Sequence, residues 1–393
     1  MVQLVAGNVA AGGAAVARQD DGRVVLVDGA LPGETVEVLI TEERSNYARG
    51  TTVAVIDGSD DRVEPPCPNV ERGCGGCGWL HVSAAAQRQL KLALVREALV
   101  RLGGIGQPRV EPAPPLGTSG YRTTVRLAVG PEGPGFRRHR AHDIVAIDSC
   151  LVAHPLLAEL LAGTGAPGRF GSALQVTLRC GARTGERMAV LGPTAAGSQL
   201  PSSVLTVGDD ELDRGRRAWL FEEVAGARLR VSARSFFQAS PDGAEALVGA
   251  VTHALIGAPP GALVDAYGGV GLFGATVGQD RQVTVLERSA SSAADARVNL
   301  PQAKVVRADV ARWRPTPAAV VVADPPQAGL GRPGVAVLAA TGAARLVLVS
   351  CDAASLGRDA ALLSSSGYSL GQTVVVDMFP GTPHVEAVSL FAR

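Results

Sequence analysis

A cysteine at the carboxyl end of a buried strand is a candidate nucleophile. Leu346-Val347-Leu348-Val349-Ser350 is an apolar, β-rich run, Cys351 follows it, and a helix is predicted to begin near Ala353. Backbone N–H groups at a helix amino end can stabilise a thiolate. Taken alone, the residue reads first as a buried structural thiol. Its company changes the reading. Phe379-Pro380-Gly381-Thr382-Pro383-His384-Val385-Glu386 is a tight polar loop feeding a last strand over 387–391. An acid at that junction can face Cys351 across a crevice, although a solvated charge at a strand start is the plainer reading of Glu386.

A second group of residues points to a nucleotide-type cofactor. Leu263-Val264-Asp265-Ala266 reads as a strand running into Tyr267-Gly268-Gly269-Val270-Gly271, then a helix. Glycines let a ligand approach the backbone closely. Glu287 ends the following strand about 20 residues on, where a carboxylate can accept hydrogen bonds from ribose hydroxyls. Gly269, Gly271 and Gly274 also satisfy the dinucleotide spacing, so an NAD-dependent oxidoreductase is an alternative. Two later strand ends narrow the choice. Asp309 follows the third strand, where a carboxylate can reach an adenine amino group. Asp324-Pro325-Pro326 follows the fourth, where two prolines stiffen a loop at the carboxyl edge of the sheet. An oxidoreductase has no standard use for that turn; a methyltransferase acting on a planar base does.

These residues need a scaffold, and the chain supplies an α/β one. From about residue 231, strand runs at 262–266, 282–287, 304–308, 319–323 and 346–350 alternate with helical stretches such as 289–299 and 353–364. That is the pattern of an open, mainly parallel sheet covered on both faces. Residues 61–230 read as a mostly β middle domain that opens with Cys67, Cys74 and Cys77 and a helix over 83–102. Residues 1–60 are short β-branched runs separated by glycine-rich turns, the texture of a small barrel. Such barrels bind nucleic acid on an outer face, and Arg44, Tyr47 and Arg49 are candidates for phosphate and stacking contacts.

Composition adds exclusions. With 46% hydrophobic residues, 19% charged residues and a formal net charge of zero, the chain is no generic polyanion binder. Lysine is nearly absent, so arginine would supply any phosphate contacts. No apolar run approaches the roughly 18 residues of a membrane span, and no signal pattern opens the chain, which predicts a cytoplasmic protein with no membrane partner. Six cysteines, three of them within residues 67–77, do not form a disulfide framework.

Together and in order, the motifs resemble the RNA uridine-5 methyltransferases, in particular the ribosomal-RNA branch with an N-terminal TRAM barrel and an iron–sulfur cluster. The resemblance runs through Leu31-Pro32-Gly33-Glu34, the cysteine cluster, Gly135-Phe136-Arg137-Arg138 leading to Cys150, and Arg234-Ser235-Phe236-Phe237-Gln238. It continues through the glycine turn, Asp324-Pro325-Pro326, Ser350-Cys351 and His384-Val385-Glu386. It implies a class I, Rossmann-like methyltransferase domain over 231–393 that uses S-adenosyl-L-methionine. Cys351 would be the nucleophile, Glu386 the base, and Phe236 the partner of a flipped base. Gln238, Tyr267, Gly269, Gly271, Glu287, Asp309 and Asp324 would bind the cofactor. The implied partner is RNA, 23S ribosomal RNA in preference to transfer RNA, which stays open as an alternative, and the expected state is a monomer. Two positions depart from the family: Leu272 stands where asparagine is common, and Gln327 where arginine is usual. Those departures keep a non-catalytic RNA-binding protein open as an alternative. For Cys67, Cys74, Cys77 and Cys150, spacing leaves zinc and a four-iron cluster equal, since both take four thiolates; the resemblance implies a [4Fe-4S] cluster. Cys180 reads as core.

Overall fold

The β-branched residues of the first 57 positions alternate inward and outward, and the inward set closes a core of its own. In the computed structural model, which describes residues 1–162 and 169–393, strands Val2–Val5, Ala15–Arg18, Val24–Asp28, Thr35–Glu43 and Tyr47–Asp57 form one sheet. Val25, Val27, Val36 and Val38 are wholly buried within it. The Leu31–Glu34 turn is pinned by Glu34, whose carboxylate accepts from Leu31 N–H (2.8 Å) and from Arg62 (2.6 Å). Burial alone would raise this acid, but the Arg62 guanidinium and the backbone donors hold it below its ordinary value.

A six-stranded sheet follows, built from Thr124–Gly130, Gly133–Arg137, Ile144–Ala146, Gln175–Cys180, Arg187–Gly192 and Leu205–Gly208. Helix Pro155–Leu161 packs on it through Leu157, Leu160 and Leu161, and Cys180 lies in its core. A hairpin, Trp219–Val224 with Ala227–Ser232, leads into the last part of the chain.

The eight-stranded sheet carries the candidate chemistry. Its order is Lys304–Arg307, Val283–Glu287, Leu263–Ala266, Val320–Ala323, Arg345–Ser350, Glu386–Ala392, Ser369–Val376, Arg109–Pro112. The first five strands are mutually parallel, and Glu386–Ala392 runs antiparallel to both neighbours. Alternate residues of one strand serve opposite layers, as a doubly covered sheet requires. Val264, Val321, Leu346 and Leu348 face one core; Leu263, Val320, Val322 and Val347 face the other. Strand order reverses between Leu263–Ala266 and Val320–Ala323, which opens a crevice at their carboxyl ends.

One segment lies elsewhere than its chain position suggests. Helix Ala84–Arg101 and strand Arg109–Pro112, expected within the middle region, belong physically to the eight-stranded sheet. The helix buries Leu92, Val95 and Leu99 against Leu356, Ala360 and Leu363 of helix Ala353–Ser365. The two backbones meet at Gly357, where a Cβ would stand 2.5 Å from Ala98 O. An apolar stripe needs a partner, and the six-stranded sheet already has one in Pro155–Leu161.

Candidate active site

The turn after Leu263–Ala266 is unusual in its backbone. Tyr267, Gly269 and Gly271 all have positive φ, of 59°, 57° and 91°. Glycine takes such angles freely; a tyrosine there is strained and must be held by its surroundings. The turn aims the Gly269 N–H at Glu287, which accepts it at 3.0 Å and takes the Ser289 N–H at 2.5 Å. A Cβ on Gly269 would meet nothing within 4 Å, so this glycine borders open space. Gly271 differs. A Cβ there would stand 2.1 Å from Leu300 Cδ1, and the residue does not line the crevice. Its glycine serves the turn and its packing. Beneath the turn, the wholly buried Asp265 accepts the Gly274 N–H at 2.9 Å. Burial pushes its carboxyl up to about 7.

The other strand ends converge on the same space. Asp309 caps a short 3-10 turn by accepting the Ala311 N–H at 2.9 Å. Asp324 accepts from Gln238 Nε2 at 3.2 Å, and burial, reinforced by Asp265, raises it to about 7. Cys351 follows Arg345–Ser350, as read from sequence. Its electrostatics are the reverse of those expected from a helix amino end. The thiol is pushed up to about 12 by burial, then by the charges of Glu386 and Asp324. The cap of helix Ala353–Ser365 is Asp352, which accepts the Ser355 N–H at 2.7 Å. Its surroundings therefore favour the thiol over the thiolate. Glu386 is no solvated charge: it is 6% exposed and opens the strand Glu386–Ala392. Burial, with Asp324 adding to it, holds its carboxyl well above 4.5.

A cavity of about 710 Å³ gathers these groups. Phe236, Gln238, Tyr267, Gly269, Glu287 and Asp309 line it together with Asp324, Cys351 and Glu386. Leu272 and Gln327 also reach its wall. Phe236 is 67% exposed, an aromatic side chain on the wall of the cavity that also holds the thiol. The volume, the glycine-lined floor and the carboxylates of Glu287, Asp309 and Asp324 at three strand ends suit a nucleotide-sized cofactor with a second, planar ligand beside it. Sequence reading missed Arg288, Ser289 and Ser292, which reach the cavity from the start of helix Ala290–Asn299. The Ser289 cap after Glu287 was the available signal.

Residues 8–53 match the TRAM domain family. A protein of Streptomyces avermitilis named an uncharacterized RNA methyltransferase is 36% identical, over 98% of this chain and 96% of its own. One of Gloeobacter violaceus, also named an uncharacterized RNA methyltransferase, is 32% identical over 98% and 95%. The chain belongs to this RNA methyltransferase family. Among solved structures, a Pyrococcus abyssi tRNA (uracil-54, C5)-methyltransferase in complex with S-adenosyl-L-homocysteine shares the fold. Its TM-score is 0.75 at 23% identity, with 99% of each chain covered.

Elsewhere in the methyltransferase, Cys67, Cys74, Cys77 and Cys150 line one small cavity with Leu80, Arg122 and Phe136. Burial raises the Cys74, Cys77 and Cys150 thiols, and their mutual charges add to it, so bare thiolates there would repel. Among the described residues, no group of three or more His, Cys, Asp or Glu is arranged to hold a metal ion. On the TRAM sheet, two of the expected phosphate contacts are engaged: Arg44 and Arg49 lie 2.5 and 3.9 Å from the Glu42 carboxylate. No helix among the described residues is long and apolar enough to cross a membrane.

The raised carboxyl of Asp324 makes a prediction about stability. A folded carboxyl at about 7, against an unfolded value near 3.8, keeps its proton while the unfolded chain loses its own. The associated stability is complete below about pH 4 and is lost as pH rises to about 7. Asp324→Asn removes that loss and keeps an acceptor for Gln238. The variant is expected to gain several degrees in melting temperature over wild type at pH 8 and little at pH 4, measured by thermal denaturation. A uniform shift at both pH values would remove Asp324 titration as the cause.

Proposed function

We propose that the chain methylates carbon 5 of a uridine in RNA, with Cys351 as nucleophile and Glu386 as base. The observation that carries this reading is a thiol and a buried carboxylate, neither ion-paired among the described residues, lining the same cavity as the glycine turn. S-adenosyl-L-methionine would be held by Gln238, Tyr267, Gly269, Glu287, Asp309 and Asp324, and it supplies an electrophilic methyl group. Carbon 5 of uracil is a weak nucleophile. Cys351 overcomes this by losing its proton and adding to carbon 6, which pushes electrons onto the ring as an enolate. Carbon 5 then takes the methyl. Glu386 removes the proton left on carbon 5, the 5,6 double bond re-forms, and the carbon 6–sulfur bond breaks to return the thiolate. One proton is released for each methyl transferred. A stacked base cannot offer both ring carbons, so the target nucleotide is flipped out, with the exposed Phe236 as its stacking partner.

Tritium release tests the assignment. RNA labelled at carbon 5 of uridine should lose tritium only with S-adenosyl-L-methionine present, in step with methyl incorporation. Methylation with full retention of the label would overturn carbon 5, and no release even with S-adenosyl-L-methionine present would leave the NAD and the non-catalytic readings. The TRAM barrel and cysteine cavity support ribosomal RNA, here 23S, as the substrate of a cytoplasmic monomer. The full-length likeness to the Pyrococcus abyssi enzyme favours transfer RNA as the second reading. Mapping 5-methyluridine in both RNAs from cells lacking the protein separates them.

For Cys67, Cys74, Cys77 and Cys150 we propose a [4Fe-4S] cluster. Four cysteines around one small cavity, three of them raised by burial, suit a cationic group that takes four thiolates, and Arg122 on the same wall offsets the net negative charge of such a site. Protein purified under anaerobic conditions is expected to be brown and to absorb broadly near ~400 nm, as thiolate-to-iron charge transfer does. Cys74→Ser should bleach it. Metal analysis returning one zinc and no iron would overturn the cluster while leaving the methyltransferase reading untouched.

A further inference from the structure

Glu386 sits at the end of a loop whose position must come from outside it. The carboxylate has no hydrogen bond to any described residue, so where it points depends on where the 377–386 loop and the start of strand Glu386–Ala392 place its backbone. That loop is short of internal support. Thr382 bonds Phe379 O and accepts the His384 N–H, Met378 bonds Val376 O, and Glu386 pairs with Val376; the polar groups between Asp377 and Gly381 otherwise depend on residues about 260 to 300 positions earlier. Two of them lie one helical turn apart on helix Ala84–Arg101. Lys91, wholly buried, donates from Nζ to Asp377 Oδ1 at 2.6 Å and to Phe379 O at 3.0 Å. Gln87, 5% exposed, accepts the Gly381 N–H at 2.6 Å. Its amide donates to Trp79 O at 3.1 Å and Val82 O at 2.8 Å. Trp79 N–H closes the loop on Gly381 O at 2.8 Å, and the Tyr121 hydroxyl donates to Pro380 O at 2.9 Å. Gly381 is packed so closely that a Cβ would lie 2.8 Å from Leu80.

We propose that Gln87 and Lys91 are positioning residues for Glu386: they fix the 377–386 loop so that the carboxylate reaches the carbon 5 proton of the covalent adduct. The assignment rests on Glu386 being the base. A helix fused to the sheet by its apolar face has no packing need for two buried polar side chains, and an apolar pair would avoid desolvating an ammonium. What the polar pair does is hold five polar groups of this loop and its flank, namely the Asp377 carboxylate, Phe379 O, Gly381 N–H, Trp79 O and Val82 O. Methyl transfer itself needs only Cys351 and the cofactor side of the cavity, so losing the clamp should spare addition and methylation and slow proton removal.

The test is single-turnover chemistry on Gln87→Met and Lys91→Met, with Glu386→Gln beside them. In the two clamp variants, first-turnover methyl transfer is expected to stay within about threefold of wild type. Resolution of the covalent protein–RNA adduct should slow by about 100-fold, the scale of a 1 Å misplacement, so that adduct accumulates on denaturing gels. Gln87→Glu, which keeps an acceptor for Gly381 N–H, should recover part of that loss. Lys91→Met strands the Asp377 charge, so Lys91→Met/Asp377→Asn is made as well. Its melting temperature should recover while slow resolution persists, because Phe379 O still lacks its donor. Amide exchange in the peptide spanning 377–386 should rise in each clamp variant. Equal losses in methyl transfer and in resolution, or unchanged exchange in that peptide, would overturn the clamp. A Glu386→Gln enzyme that forms no adduct would instead overturn the base assignment itself.

Discussion

Replacing Cys351 by alanine is expected to abolish methyl transfer, by about 10⁴-fold or more, as loss of a covalent nucleophile does elsewhere. Binding of S-adenosyl-L-methionine should change by less than about twofold. The asymmetry follows from the sheet. Tyr267, Glu287, Asp309 and Asp324 sit at the ends of four parallel strands on one side, while Cys351 follows the fifth, and in the proposed reaction it bonds only to the base. Alanine also removes a thiol held at about 12 amid two carboxylates, so folding should not suffer. Tritium release and calorimetric titration with the cofactor measure the two quantities. Near-normal turnover in the alanine variant would sink the nucleophile. Loss of cofactor binding together with turnover would place Cys351 on the cofactor side of the cavity.

The same sheet explains what could be read from sequence. Buried parallel strands announce themselves as β-branched runs, and functional residues of open α/β sheets sit at the carboxyl ends of those runs. Glu287, Asp309, Asp324 and Cys351 were legible for that reason, and the cavity gathers all four. Gly271 was legible as a motif member but not as a packing residue, because Leu300, which fills the space beside it, comes from beyond the next helix. The state of Cys351 was hidden as well. Local sequence shows a helix amino end, whereas the thiol's environment is set by burial and then by Glu386 and Asp324, which lie 35 residues later and 27 earlier in the chain. Helix Ala84–Arg101 was found, but not its destination. Its apolar stripe specifies burial without naming the surface, and Gly357, which permits the close approach, gives no local sign of its partner. Long-range electrostatics and long-range packing are the parts that periodicity leaves out.

Glu386→Gln should behave unlike the cysteine variant. Glutamine keeps the shape of the buried side chain but cannot accept the carbon 5 proton. Addition and methylation proceed, elimination stalls, and the methylated RNA stays bonded to Cys351 as a species that survives denaturing electrophoresis. Steady-state turnover is expected to fall by at least about 100-fold, the lower range for a lost general base, while the first-turnover methyl transfer remains visible. The wild-type enzyme adds a signature of its own. Burial and Asp324 hold the Glu386 carboxyl well above 4.5, so it ionises at higher pH than an ordinary carboxyl. A protonated acid takes no proton. Adduct resolution in the wild type should therefore accelerate with pH until Glu386 is fully ionised, then level off. In the glutamine variant the slow residual resolution should lack that rise. The two profiles are obtained by loading adduct at one pH and following its decay after a jump to another. Free RNA only on the gel, with product still formed at the normal rate, would remove Glu386 from the reaction. Parallel pH profiles in the two proteins would assign the titration to a different group, with Asp324, at about 7 on the same cavity, the next to be replaced.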